Sequence, residues 1–225
     1  MPIPIVYRKS GEGSVASYDY SDIAEGTGVF HFYPWVGVDS NVLSSTNTHY
    51  SNDVVKHYDL NDTTTSTKIL DVDFDVVFNL PKIIGGTAVV TLTLGYNMTT
   101  ADGGFEQFAR VRIRKDDGVN PEVEVATNDT ALFAESDTGH LTQNAPYSET
   151  FSVEIDVPKT HYRKGDILRL TIEIWGKTDA TKRSWMGFGC DPADQNDDYT
   201  DLTGKIIEDT DRTVLDFYVP FVLDL

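Results

Sequence analysis

Six stretches of the chain alternate apolar and polar residues with a period of two, and this pattern restricts the fold more than any other feature. In residues 68–80, Leu70, Val72, Phe74, Val76, Phe78 and Leu80 alternate with Asp71, Asp73, Asp75, Val77 and Asn79. The same rhythm runs through Val90–Tyr96, through Val111 and Ile113 between Arg110, Arg112 and Arg114, and through Phe151–Val157. It returns in Leu168–Ile174 and again in Leu215–Leu223. Successive side chains of a strand point to opposite faces, whereas a helix repeats every 3.6 residues, so each stretch reads as a half-buried strand with one wet face.

Turn-forming residues punctuate these strands at LPKIIGG (80–86), TADGG (100–104), KDDGVNP (115–121), VPKTHYRKGD (157–166) and GCDPADQNDD (189–198). No segment keeps helical periodicity over three turns. The expected fold is all-β, an antiparallel two-sheet sandwich of jelly-roll type with long loops. A length of 225 residues suits one such domain, 1–225, with residues 66–225 forming the main sandwich. Residues 1–65 are richer in Ser, Thr, Asn, Asp and Gly and read as an extended N-terminal region. Within it the aromatic run GVFHFYPWV (28–36) is a strand that Pro34 places at an edge or bend, and residues 37–67 read as a long excursion.

The acid excess sets the expected partners. With 18 basic against 36 acidic residues the net charge is −18, which opposes binding to a phosphate backbone and favours cations. One cysteine, Cys190, excludes an intramolecular disulfide. The N-terminus shows no basic start followed by an apolar run, and no stretch of about 20 apolar residues occurs. The expectation is synthesis in a cytoplasm without a signal peptide, and no membrane span.

Motifs with a chemical mechanism are sparse. Five histidines are scattered without zinc spacing, and neither a nucleophile elbow nor a phosphate loop is present. Asp71, Asp73 and Asp75 share one strand face, but same-face neighbours lie roughly 7 Å apart, too far to share one cation held at about 2.3–2.6 Å. Pairing with the Arg110, Arg112 and Arg114 row on a neighbouring strand is the expected arrangement. The candidate Ca²⁺ site is the acidic loop bearing Asp191, Asp194, Asn196, Asp197, Asp198 and Asp201, although it lacks the EF-hand pattern and also reads as a solvated loop. No other cofactor is expected.

Aromatic residues supply the remaining candidates. Trp175 is out of phase with the apolar Leu168–Ile174 face and joins Arg169 and Glu173 on the polar side, where an indole needs cover. Together with Tyr33, Trp35 and Trp185 it is an expected contact point between subunits, since aromatics are enriched in interface cores. His161, Arg163 and Lys164, just ahead of this strand, read as a solvated connection between two neighbouring strands.

Three segments resemble virion structural proteins of tailed phages and of related archaeal or marine viruses: residues 16–35, residues 151–176, and residues 187–198 followed by 213–225. The resemblance implies a non-enzymatic virion component, a minor capsid or decoration protein or a neck or tail accessory. It also implies a homo-oligomer that contacts other virion proteins, with no direct nucleic-acid contact. A β-sandwich that binds carbohydrate or a receptor is the competing expectation, marked by exposed aromatics beside Asp and Asn on one sheet. A glycosidase, marked by two facing carboxylates in a cleft, comes third.

Overall fold

The alternating stretches pair into strands in a computed structural model that describes residues 16–17, 27–98, 104–134, 145–179, 182–195, 206–207 and 211–222. The strands are β1 (Ala16–Ser17), β2 (Thr27–Val36), β3 (Asn41–Ser44), β4 (Val55–Asn61), β5 (Thr67–Val77), β6 (Lys82–Met98) and β7 (Phe105–Asp116). They continue with β8 (Val123–Asp129), β9 (Phe133–Ala134), β10 (Pro146–Tyr162), β11 (Ile167–Thr178), β12 (Arg183–Gly189) and β13 (Asp216–Val222). The described residues are all-β, as the period-two pattern requires.

Strand β6 is the spine of the first sheet. β10 pairs along nearly its whole length on one side, while β13 and β12 share the other side and lead on to β2 and β4. The second sheet runs β3–β5–β11–β7–β8, and among the described residues every strand pairing is antiparallel except β3 with β5. β2 belongs to both sheets, pairing with β13 as far as Phe32 and with β3 from Tyr33 onward. Pro34 lies at that crossing, where a residue without an N–H costs least. One hydrogen-bonded path therefore folds over on itself into two layers.

The core fills the space between the layers. Val72 and Phe74 of β5, Val111 and Ile113 of β7 and Leu168–Ile174 of β11 meet Val90–Tyr96 of β6, Val153 and Ile155 of β10 and Phe217–Phe221 of β13. The C-terminal run is an interior strand between β6 and β2. Pro220 falls where the β13–β6 register slips, between Tyr218 and Phe221, because it has no N–H to give that ladder.

Several expectations need correction. Residues 37–67 are not one excursion: they contain β3 and β4, and Gly37 N–H donates to the Ser40 carbonyl in the tight turn between β2 and β3. Val157 and Pro158 do not end their strand, since β10 bulges there and continues to Tyr162. The following turn carries the chain from the first sheet to the second, so β10 and β11 are not neighbours in one sheet. Leu80 is exposed rather than core. The aspartate and arginine rows do not face each other across one gap, because β11 lies between β5 and β7.

Candidate functional site

Insertion of β11 between β5 and β7 creates the most heavily charged surface in the described structure. β11 points Arg169, Thr171, Glu173 and Trp175 outward, β5 contributes Asp71, Asp73 and Asp75, and β7 contributes Arg110, Arg112 and Arg114. Arg169 donates from Nε and Nη2 to both carboxylate oxygens of Asp75, at 2.7 and 2.8 Å. Thr171 donates its hydroxyl to Asp73 at 2.5 Å. On the far side, Arg110 makes a two-pronged contact with Asp129 of β8 at 2.8 and 2.9 Å.

Glu173 is the centre of this network. Its side chain is only 2% exposed, although it lies on the outer face. Arg112 donates to Oε1 at 2.7 Å, the Trp175 indole N–H donates to Oε2 at 3.1 Å, and Lys68 reaches Oε1 at 3.5 Å. Burial alone pushes the Glu173 carboxyl up, but the Arg112 and Trp175 hydrogen bonds and the charges of Lys68 and Arg112 bring it below the ordinary glutamate range. It is therefore an ionised acceptor at neutral pH and has no proton to donate.

Trp175 receives the cover its position demands from within its own chain. The β11–β5 register slips between Ile174 and Trp175, and the indole lies parallel to Phe108 of β7 with ring centroids 6.2 Å apart. The Arg110 guanidinium stands 5.2 Å above the indole, an arrangement that fixes both groups by cation–π attraction. Beside them opens a cleft of about 470 Å³, lined by Lys68, Arg110, Arg112, Glu124, Thr127, Asn128, Asp129, Glu173 and Trp175. These lining residues offer hydrogen-bond donors and acceptors, charges of both signs and one aromatic surface.

The other sequence candidates are spread over the molecule. Tyr33 and Trp35 point outward from β2: the Tyr33 ring is tilted against His31, and Trp35 lies parallel to His49 at 4.9 Å. Trp185 is on β12, with Arg183 over its ring. Trp175 is thus separate from the other three, and the four do not form one patch. Asp191 is fully buried and accepts the N–H groups of Ser51 and Gln195 at 2.8 and 3.0 Å. Asp194, in a left-handed conformation with φ of 59°, accepts the N–H of Thr213 at 2.8 Å. Both carboxylates pin the loop to its surroundings; Asn196, Asp197, Asp198 and Asp201 lie outside the described residues. His161 is exposed near the end of β10, where it pairs with Ile83, and Arg163 and Lys164 are exposed on the turn between sheets, while Asp166 beside them is buried against Lys115 at 2.7 Å.

The residues that sequence reasoning missed come from β8 and from the start of β5. VEVATND (123–129) does alternate at first, but the register slips between Ile113 and Arg114 opposite it, which blurs the pattern. Lys68 and Phe108 carried no signal of their own. Only the register of β5 and β7 against β11 brings them to Trp175.

No known protein family matches the chain, and no curated protein matches it. Solved structures share its fold. An aminopeptidase from the marine sediment archaeon Thaumarchaeota archaeon superposes with a TM-score of 0.50 at 6% identity, over 86% of this chain and 37% of the aminopeptidase. A CocE/NonD family hydrolase from Staphylococcus aureus gives 0.42 at 13% identity, over 87% of this chain and 37% of that one. A structure of infectious bursal disease virus, Gx strain, gives only 0.27 at 11% identity, over 92% and 54%. The chain thus spans little more than a third of the length of either hydrolase. The likeness to the aminopeptidase shows the fold alone, an all-β, sandwich-like architecture. The expectation of a non-enzymatic virion component is overturned accordingly: the better superpositions are to hydrolases, and the viral one is too weak to carry an argument. Among the described residues no helix is long and apolar enough to cross a membrane.

Proposed function

We propose that this chain is a β-sandwich module that holds a hydroxyl-rich ligand of the saccharide class for a hydrolytic unit, with the ligand seated in the cleft beside Trp175. The observation that carries this reading is the cleft itself, an open recess of about 470 Å³ in which an indole sits among cationic donors and ionised acceptors. A pyranose offers an apolar face of C–H groups and a rim of hydroxyls, each able to donate and accept. The Trp175 ring suits the first, and Lys68, Asn128 and Glu124 suit the second. These residues sit on strands rather than loops, so little ordering is required when the ligand arrives. The hydrolytic side of the reading is supported by the aminopeptidase likeness, in which a fold like this one corresponds to 37% of an enzyme chain.

Calorimetric titration of the purified protein with a panel of mono- and disaccharides tests this reading. The expected result is saturable binding to at least one sugar, weakened tenfold or more in Trp175→Ala, a loss of about 1.4 kcal/mol. Trp175→Phe, which keeps an aromatic face, is expected to retain most of the affinity. Absence of heat with every sugar, or a Trp175→Ala protein that binds like the wild type, contradicts the reading.

A further inference from the structure

We infer that the ligand carries a carboxylate, as a uronic acid does, and that Arg110 takes it by releasing Asp129; this rests on the saccharide reading above. The three cations of the cleft are not equivalent. Arg112 is tied to Glu173, whose side chain is 2% exposed and cannot leave, while Lys68 holds Asp71 at 2.6 Å and reaches Glu173 only at 3.5 Å. Arg110 is tied instead to Asp129, and those two side chains are 36% and 40% exposed.

Both partners are more than a third exposed, so solvent takes over the freed carboxylate, and opening the Arg110–Asp129 contact costs less than uncovering the buried Glu173 would. Asp129 is the last residue of β8, the outer strand of its sheet, and its carboxylate has solvent to swing into. Arg110 keeps its place without Asp129, because it packs over the Trp175 ring at 5.2 Å and the Phe108 ring at 5.9 Å. What remains is a pre-oriented guanidinium whose fork matches a carboxylate in two-pronged geometry, beside the part of the half-buried Trp175 ring that it leaves uncovered.

The charge balance points the same way. Lys68, Arg110 and Arg112 face Glu124, Asp129 and Glu173 in the cleft, three cations against three anions, whereas the whole chain has 18 against 36. Moving Asp129 out leaves three against two, a single positive charge that a ligand carboxylate neutralises. The acidic remainder of the molecule repels anions only over a screening length of about 8 Å at physiological salt.

The test is titration of wild type, Arg110→Gln and Asp129→Asn with a uronic-acid disaccharide and with the neutral disaccharide of the same linkage. The wild type is expected to prefer the uronate by tenfold or more. Arg110→Gln is expected to weaken both sugars but the uronate at least tenfold more than the neutral one, which abolishes the preference, and Asp129→Asn to tighten the uronate several-fold. Equal binding of the two sugars by the wild type, or a preference that survives in Arg110→Gln, overturns the inference but leaves the saccharide reading standing. Binding of neither sugar overturns the inference, and the saccharide reading falls with it only if the whole sugar panel also gives no heat. Unchanged melting temperatures in the two variants separate these outcomes from misfolding.

Discussion

Glu173 shows at the level of one residue how this surface is held together. A carboxylate removed from water is stable only if its lone pairs are filled, and Arg112, Trp175 and Lys68 fill them. Because its folded pKa lies below the ordinary value, its stabilising contribution is present above the unfolded carboxylate pKa and is lost as pH falls through the folded one. Glu173→Gln is therefore expected to lower unfolding stability by roughly 2–3 kcal/mol at pH 7, with the gap from the wild type narrowing below about pH 4 as the native carboxyl protonates. Urea denaturation at pH 7 and pH 3 measures both; a gap that stays constant with pH would show that the charge of Glu173 is not what the site depends on. The sequence placed Glu173 on the polar side of its strand and Trp175 beside it, and that reading holds. Its burial is not legible, because its cationic partners Arg112 and Lys68 come from strands more than 60 residues away in the chain.

At the scale of strands, alternation revealed which residues face inward but not which strands are neighbours. The apolar faces of Leu168–Ile174, Val90–Tyr96 and Phe217–Phe221 all enter the core as their period demands. Neighbour order depends on long-range pairing, and there the aspartate and arginine rows were joined too directly, with β11 and its Arg169 left out between them. The short strands β3 and β4 were read as loop because their polar composition masks four and seven residues of pairing. β4 is held so close to β12 that a Cβ on Gly187 would stand 1.8 Å from the Lys56 carbonyl oxygen. Gly187→Ala is expected to destabilise the protein by about 2–3 kcal/mol through forced separation of these two backbones. Thermal unfolding checks it, and a melting temperature equal to that of the wild type would mean that β12 and β4 are not packed this tightly.

For the whole molecule, the fold and the location of its cleft are separate facts. The fold is shared with an aminopeptidase at 6% identity, which speaks for architecture and not for chemistry. What is particular to this chain is a balanced, aromatic cleft on one outer face of a molecule with net charge −18. The tryptophans offer a direct readout of where ligand binds, because Trp175 lines the cleft while Trp35 and Trp185 are on β2 and β12. Nitrogen-15 labelling of tryptophan gives three indole N–H resonances, one for each of Trp35, Trp175 and Trp185. On titration with the uronic-acid disaccharide, the Trp175 indole resonance is expected to shift progressively to saturation while the other two stay in place. Movement of Trp35 or Trp185 with Trp175 unmoved would contradict the account.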